Sequence, residues 1–117
     1  MPFIKPIIYI LTLCISPSVV QSQNVQLRFY SGNDIFPSCQ SNSSFITGYV
    51  TGVIDYAGIA SSITDRSSIR VCVPLDATNG QAKDVFCKFL ADNPEKRHID
   101  ASALVFNAMQ DAFPCTN

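Results

Sequence analysis

The sequence predicts an all-α fold: one small domain of about three to four main helices, stapled by disulfides. Three observations carry this. Apolar residues recur at three- and four-residue spacing over 45–57, 82–90 and 101–113. Each of these stretches opens on a capping residue, and the last two end at Pro94 and Pro114. Cysteines at 72 and 115 bracket the last two stretches, with two more at 39 and 87.

Taken in order, residues 1–22 read as an export signal. Lys5 makes the start positive, Ile7 to Ile15 is an apolar run of nine, and Val20-Gln21-Ser22 puts acceptable side chains before a cleavage point after Ser22. A membrane anchor would need about 18 uninterrupted apolar residues, and Ser16, Pro17 and Ser18 stop the run early. Cys14 follows Leu13, where a lipid-attachment site would want a small residue.

Residues 23–117 then form a single domain with a modest core. Seven Lys and Arg stand against nine Asp and Glu in it, a net charge of −2. The longest basic run is Lys96-Arg97-His98, too short to neutralise a phosphate backbone, so nucleic acid is excluded as a partner. Nothing predicts membrane association once the signal is removed. Cys39, Cys72, Cys87 and Cys115 imply two disulfides with three possible pairings. Zinc is excluded by spacing, since no Cys-x2–4-Cys occurs and His98 is the one histidine. No metal or cofactor is expected. Closing loops of roughly 45 residues stabilises by about 4 kcal/mol each in the chain-entropy model, which is large beside so small a core.

Val25 to Tyr30 alternates like a short strand, and Ile69 to Val73 could be extended before Pro74, but two such pieces do not make a sheet. Asn42-Ser43-Ser44 offers an N-cap to a central helix striped by Phe45, Ile46, Tyr49, Val50, Val53, Ile54 and Ala57. Gly48 and Gly52 lie one turn apart on it. Each costs about 1 kcal/mol of helix propensity, so they read as a notch where another backbone comes close. Asp55 ends the stripe, where the helix dipole disfavours a carboxylate, and so should have a specific partner. The polar stretch 58–70 reads as a long loop. Thr78-Asn79-Gly80-Gln81 is a capping box, followed by Ala82, Val85, Phe86, Phe89 and Leu90 on one face and a stop at Asn93-Pro94. Asp100 caps the final helix, striped by Ala101, Leu104, Val105, Ala108, Met109, Ala112 and Phe113 and ended by Pro114. Stripes this narrow pack against one another in a bundle or an orthogonal array.

No catalytic residue is predicted, and the chain reads as a non-enzyme. His98 sits in a charged turn after Pro94, where its imidazole should bond a nearby backbone group or Glu95. A Cys87–His98 thiol pair is conceivable, but an oxidising compartment favours a bridged Cys87. Asp84, Asp92, Glu95 and Asp100 are explained by capping and solvation.

These pieces together carry a resemblance: Phe45-x-Thr47-Gly48-Tyr49-Val50-x-Gly52-Val53-x-Asp55, Val71-Cys72-Val73-Pro74, Thr78-x-Gly80-Gln81-x2-Asp84-Val85, Asn93-Pro94-Glu95-x-Arg97-His98, Ala103-Leu104-Val105 and Ala112-Phe113-Pro114-Cys115. In this order, from about Asp34 to Cys115, the chain resembles the Rap/Tai immunity proteins of bacterial type VI secretion. The resemblance implies a periplasmic helical protein, often a homodimer, that binds a secreted peptidoglycan amidase effector and blocks its active site. The chain departs from the family pattern in one cysteine. Ile46 stands where members often have a cysteine, and Cys87 appears instead. Cys87 would then replace the missing partner of Cys39, leaving Cys72 to pair with Cys115.

An inhibitor of a cleft enzyme gains most from a protruding element, and 58–70 is the longest polar segment between helices. Ser62, Thr64, Asp65 and Arg66 are therefore the candidate contact residues. The competing class is an exported helical carrier or chaperone, which would need a ligand cavity lined by Phe86, Phe89, Leu104 and Phe113.

Overall fold

The computed structural model describes residues 2–4, 28–64 and 70–116. Nearly all of the export signal, with its cleavage point, and the first half of the Val25–Tyr30 stretch lie outside these. The described chain forms four helices: α1 (Gly32–Gln40), α2 (Ser44–Ile63), α3 (Asn79–Asp92) and α4 (Ala101–Ala112), with a 3-10 turn at Pro94–Lys96. No strand occurs among the described residues, only an isolated bridge between Ser31 and Asp100. The all-α expectation holds.

The predicted caps on α2 and α3 form as read. Ser43 Oγ accepts from the Phe45 N–H at 3.1 Å. Thr78 Oγ1 accepts from the Gln81 N–H at 3.1 Å, and Gln81 Oε1 accepts from the Thr78 N–H at 2.8 Å, closing the capping box around Gly80. Asp100 occupies the N-cap position of α4 but makes no side-chain cap bond. Its carboxylate pairs with Arg28 instead.

Helix α1 has no counterpart in the sequence reading, because Pro37 inside a nine-residue segment obscures any period. A reciprocal cap nucleates it. The Ser31 N–H donates to the Asp34 carboxylate at 2.8 Å, and Ser31 Oγ accepts from the Asp34 N–H at 3.3 Å. The Ser31 hydroxyl and backbone bonds hold the Asp34 carboxyl below its ordinary value.

The helices α2, α3 and α4 each touch the other two, and α1 packs on all three. At their meeting Ile35, Ile46, Val50, Phe86, Leu90, Leu104, Val105 and Met109 are fully buried. Phe86 and Leu104 therefore fill the core rather than face a cavity, which removes the lining a carrier would need. Arg97 ties the surrounding elements together. Its Nε donates to the Leu90 carbonyl at 2.6 Å, its guanidinium lies 3.7 Å from the Phe36 ring centroid, and its own carbonyl accepts from the Asn33 N–H at 2.7 Å.

Both disulfides have the pairing expected. Cys39 at the end of α1 joins Cys87 in α3, Cα atoms 5.6 Å apart and 48 positions apart in sequence; Cys72 joins Cys115, 5.2 Å and 43 positions apart. With Cys87 bridged, no Cys87–His98 thiol pair exists.

Three sequence expectations fail. Residues 58–63 are not loop but the last two turns of α2. The serines there satisfy themselves within the helix, Ser61 Oγ donating to the Gly58 carbonyl and Ser62 Oγ to the Ile59 carbonyl, so their polarity does not end it. Asp55 is consequently mid-helix and exposed, away from the negative helix end, and no side chain among the described residues bonds it. The Gly48–Gly52 notch is also overturned: a Cβ built on either glycine meets nothing within 4 Å. The glycine under close approach is Gly32, whose Cβ would lie 2.6 Å from Leu104 Cδ1 and 2.9 Å from the Arg97 backbone.

Candidate functional site

The segment leaving α2 is fixed on both flanks. Thr64 ends the helix, its N–H and its hydroxyl both donating to the Ala60 carbonyl, at 3.0 and 2.7 Å. Across the gap, the Arg70 carbonyl accepts from Gln110 Nε2 at 3.0 Å, and two residues later the Cys72–Cys115 bridge anchors the chain to the end of α4. Of the four candidate contact residues, Ser62 lies exposed on the last turn of α2 and Thr64 at its C-cap, while Asp65 and Arg66 are outside the described residues. A shallow hollow of about 550 Å³ lies between α2 and the chain from Val71 to Val73, lined by Ile54, Asp55, Gly58, Ile59, Val71 and Val73.

After Cys72 the chain makes a tight turn, the Ala77 N–H donating to the Pro74 carbonyl at 3.0 Å. Pro74 fixes the first corner, and Leu75 at the tip is fully exposed. A neighbouring hollow of about 450 Å³ has an apolar floor of Pro74, Val85 and Phe113 and carries Asp76 and Asp84. A rigid turn bearing a bare leucine is suited to protein contact, and sequence reasoning misses it. The signal is present in the pairing of Pro74 with an apolar residue before a capping box.

The corner near His98 offers no acid–base set. His98 Nδ1 lies 2.9 Å from the Glu95 carbonyl oxygen, Asp34 is taken by Ser31, and Arg28 pairs with Asp100. The imidazole bond matches the sequence expectation. Among the described residues, no three His, Cys, Asp or Glu side chains converge as metal ligands.

A third surface lies along α2. Gly48, Tyr49, Gly52, Val53 and Tyr56 line a groove of about 500 Å³ against Ser102 and Phe106 of α4. Burial raises the Tyr49 phenol above its ordinary value, and its hydrogen bond with Ser102 acts the other way. Tyr30, Phe45 and Tyr49 cluster at one end, ring centroids 5.6 to 6.1 Å apart, with Tyr30 edge-on to both of the others.

A family model described as Rap1a immunity proteins matches residues 31–115. That span takes in all four helices and all four bridged cysteines. Comparison with curated proteins and with solved structures finds no match.

Proposed function

The chain belongs to the Rap1a immunity protein family, and on that premise we propose that it acts in the periplasm, binding a type VI secreted peptidoglycan amidase and blocking its active site. The producing cell and its siblings are thereby spared. The observation that carries the reading is the family match over the whole described fold from residue 31 to residue 115. Two disulfides agree with export, because such bonds persist in oxidising compartments. No described helix is long and apolar enough to cross a membrane.

The inhibitory element in this reading is the segment after α2. Its two ends are anchored, by Thr64 on α2 and by Arg70 and Cys72 on α4 and its C-terminal extension. Ser62 and Thr64 flank it, and Asp65 and Arg66 supply opposite charges at its centre. The test is protection of cells that export the amidase to the periplasm. Asp65→Ser combined with Arg66→Ser should remove protection while leaving the melting curve unchanged, since both core and staples lie elsewhere. Undiminished protection by this variant would take the inhibitory contact away from the segment.

A further inference from the structure

The net charge of residues 23–117 gathers on one face. Asp76, Asp84, Asp92 and Asp111 line two hollows that adjoin at Val85, along α3 and against the end of α4. Setting Lys83 and Lys88 against these four leaves −2, the whole net charge of this part of the chain, and the acidic and basic residues elsewhere in it balance. The two lysines do little to cancel the rim. Lys88 pairs with Asp92 at the surface, where an ion pair is worth little, and Lys83 is shared between Asp84 and Asn42 Oδ1. Among the described residues, no ion pair involves Asp76 or Asp111. Asp92 is the last residue of α3 and Asp111 the last but one of α4, ends whose free carbonyls already carry negative charge. Helix stability therefore does not account for carboxylates there.

Between the carboxylates the surface is apolar. Pro74, Val85 and Phe113 floor the hollow of about 450 Å³, and Val85, Phe89, Ala108 and Ala112 floor its neighbour of about 260 Å³. At one end stands the turn closed by the Ala77 N–H on the Pro74 carbonyl, with Leu75 fully exposed at its tip. An apolar trough with an acidic rim fits a segment of the opposite pattern. We propose that this trough and the Leu75 turn seat a cationic segment of the effector, one with apolar anchors set between lysine or arginine residues.

The choice of partner rests on the function proposed above, and the substrate's chemistry supplies the charge. Peptidoglycan peptides carry free carboxylates, so an enzyme that holds them presents cations around its cleft. A face carrying the domain's whole excess of negative charge is drawn to those same cations and speeds the encounter. The trough also lies within reach of the connector after α2. Leu75 is three residues from Cys72, at most about 10 Å of chain, so both elements hang from the Cys72–Cys115 anchor and one partner touches both.

The test has two arms. In the first, association of the oxidised mature protein with the amidase, in a catalytically inactive form, is followed by stopped flow from about 50 mM to about 500 mM salt. Asp76→Asn combined with Asp111→Asn, both exposed, should slow association about tenfold at low salt, and the difference should vanish at high salt. Leu75→Ser should instead speed dissociation by about tenfold or more. Glu95→Gln, an exposed carboxylate outside the trough, should change either rate less than about twofold. Wild-type rates in both trough variants overturn the proposal and leave the inhibitory reading standing, whereas a wild type that does not bind the amidase refutes that reading and this choice of partner with it. The second arm examines the trough without the amidase. The probe is an amphipathic peptide of leucine and lysine about 14 residues long, with a leucine and glutamate peptide of the same pattern as control. The lysine peptide should shift the amide resonances of Asp76, Val85, Asp111 and Phe113, and the glutamate peptide should not. Equal shifts with the two peptides, or none with the lysine peptide, overturn the charge match on which the proposal stands.

Discussion

Replacing Gly32 by alanine tests the one glycine whose added Cβ would meet its neighbours closely. The new Cβ would stand 2.6 Å from Leu104 Cδ1 and 2.9 Å from both Cα and the carbonyl oxygen of Arg97. Leu104 can shift a terminal methyl, although it is fully buried and its rotation displaces core neighbours. The Arg97 backbone has less room, because it is held by the Asn33 N–H, and Gly32 is itself bonded to the Ile99 carbonyl at 2.9 Å. Overpacking of this kind costs about 1–3 kcal/mol, and the rigid neighbour puts this case at the upper end. Alanine recovers up to about 1 kcal/mol of helix propensity, leaving a net loss of about 2 kcal/mol. For a domain of this size that lowers Tm by roughly 8–16 °C. Gly48→Ala supplies the control, since its Cβ has open space and should raise Tm by a few degrees on propensity alone. Both are read from thermal circular dichroism melts of the oxidised protein. A Gly32→Ala variant melting with the wild type would refute the close approach of α1 to the 97–104 segment.

Replacing Cys39 and Cys87 together by alanine should destabilise by about 4 kcal/mol on the loop-closure model, measured by urea unfolding with a steeper slope, because the freed denatured chain exposes more surface. Mass spectrometry after alkylation without reductant should find none of Cys39, Cys72, Cys87 and Cys115 modified; ready labelling of any one would contradict its bridge. The Asp34 carboxyl is held below its ordinary value of 3.8, so it contributes stability above that value, which is lost as pH falls through the depressed one. Stability measured from pH 5 downward should therefore fall more steeply in wild type than in Asp34→Asn, and parallel profiles would discount the cap.

Much of this fold is legible in the sequence, and the failures have separate physical causes. The stripes of α3 and α4 and the Thr78–Gln81 box can be read directly, since periodicity and capping are local. Helix α1 cannot, because Pro37 and its short length hide the period, although Ser31 followed by Asp34 three residues later is a cap signal. The tail of α2 is missed because serine polarity resembles loop composition until its hydroxyls are seen bonded one turn back. Gly48 and Gly52 show a limit of another kind. Periodicity places a residue on a face, but whether another element covers that face is a tertiary fact. The same limit hides Leu75. Cysteine count leaves three pairings open, and it is the departure from the family pattern at Ile46 and Cys87 that singles out the one observed.

The two disulfides interleave: Cys72 lies within the loop closed by Cys39–Cys87, and Cys87 lies within the loop closed by Cys72–Cys115. Every peptide bond from 39 to 115 is thus spanned by at least one covalent bypass. A protease that cuts once anywhere in that stretch, including the connector after α2, severs the backbone without separating the pieces. The fragments remain a single molecule until a reductant acts, and the core can hold its shape across the nick. A single cut in the connector would then be damage to one contact rather than loss of the protein.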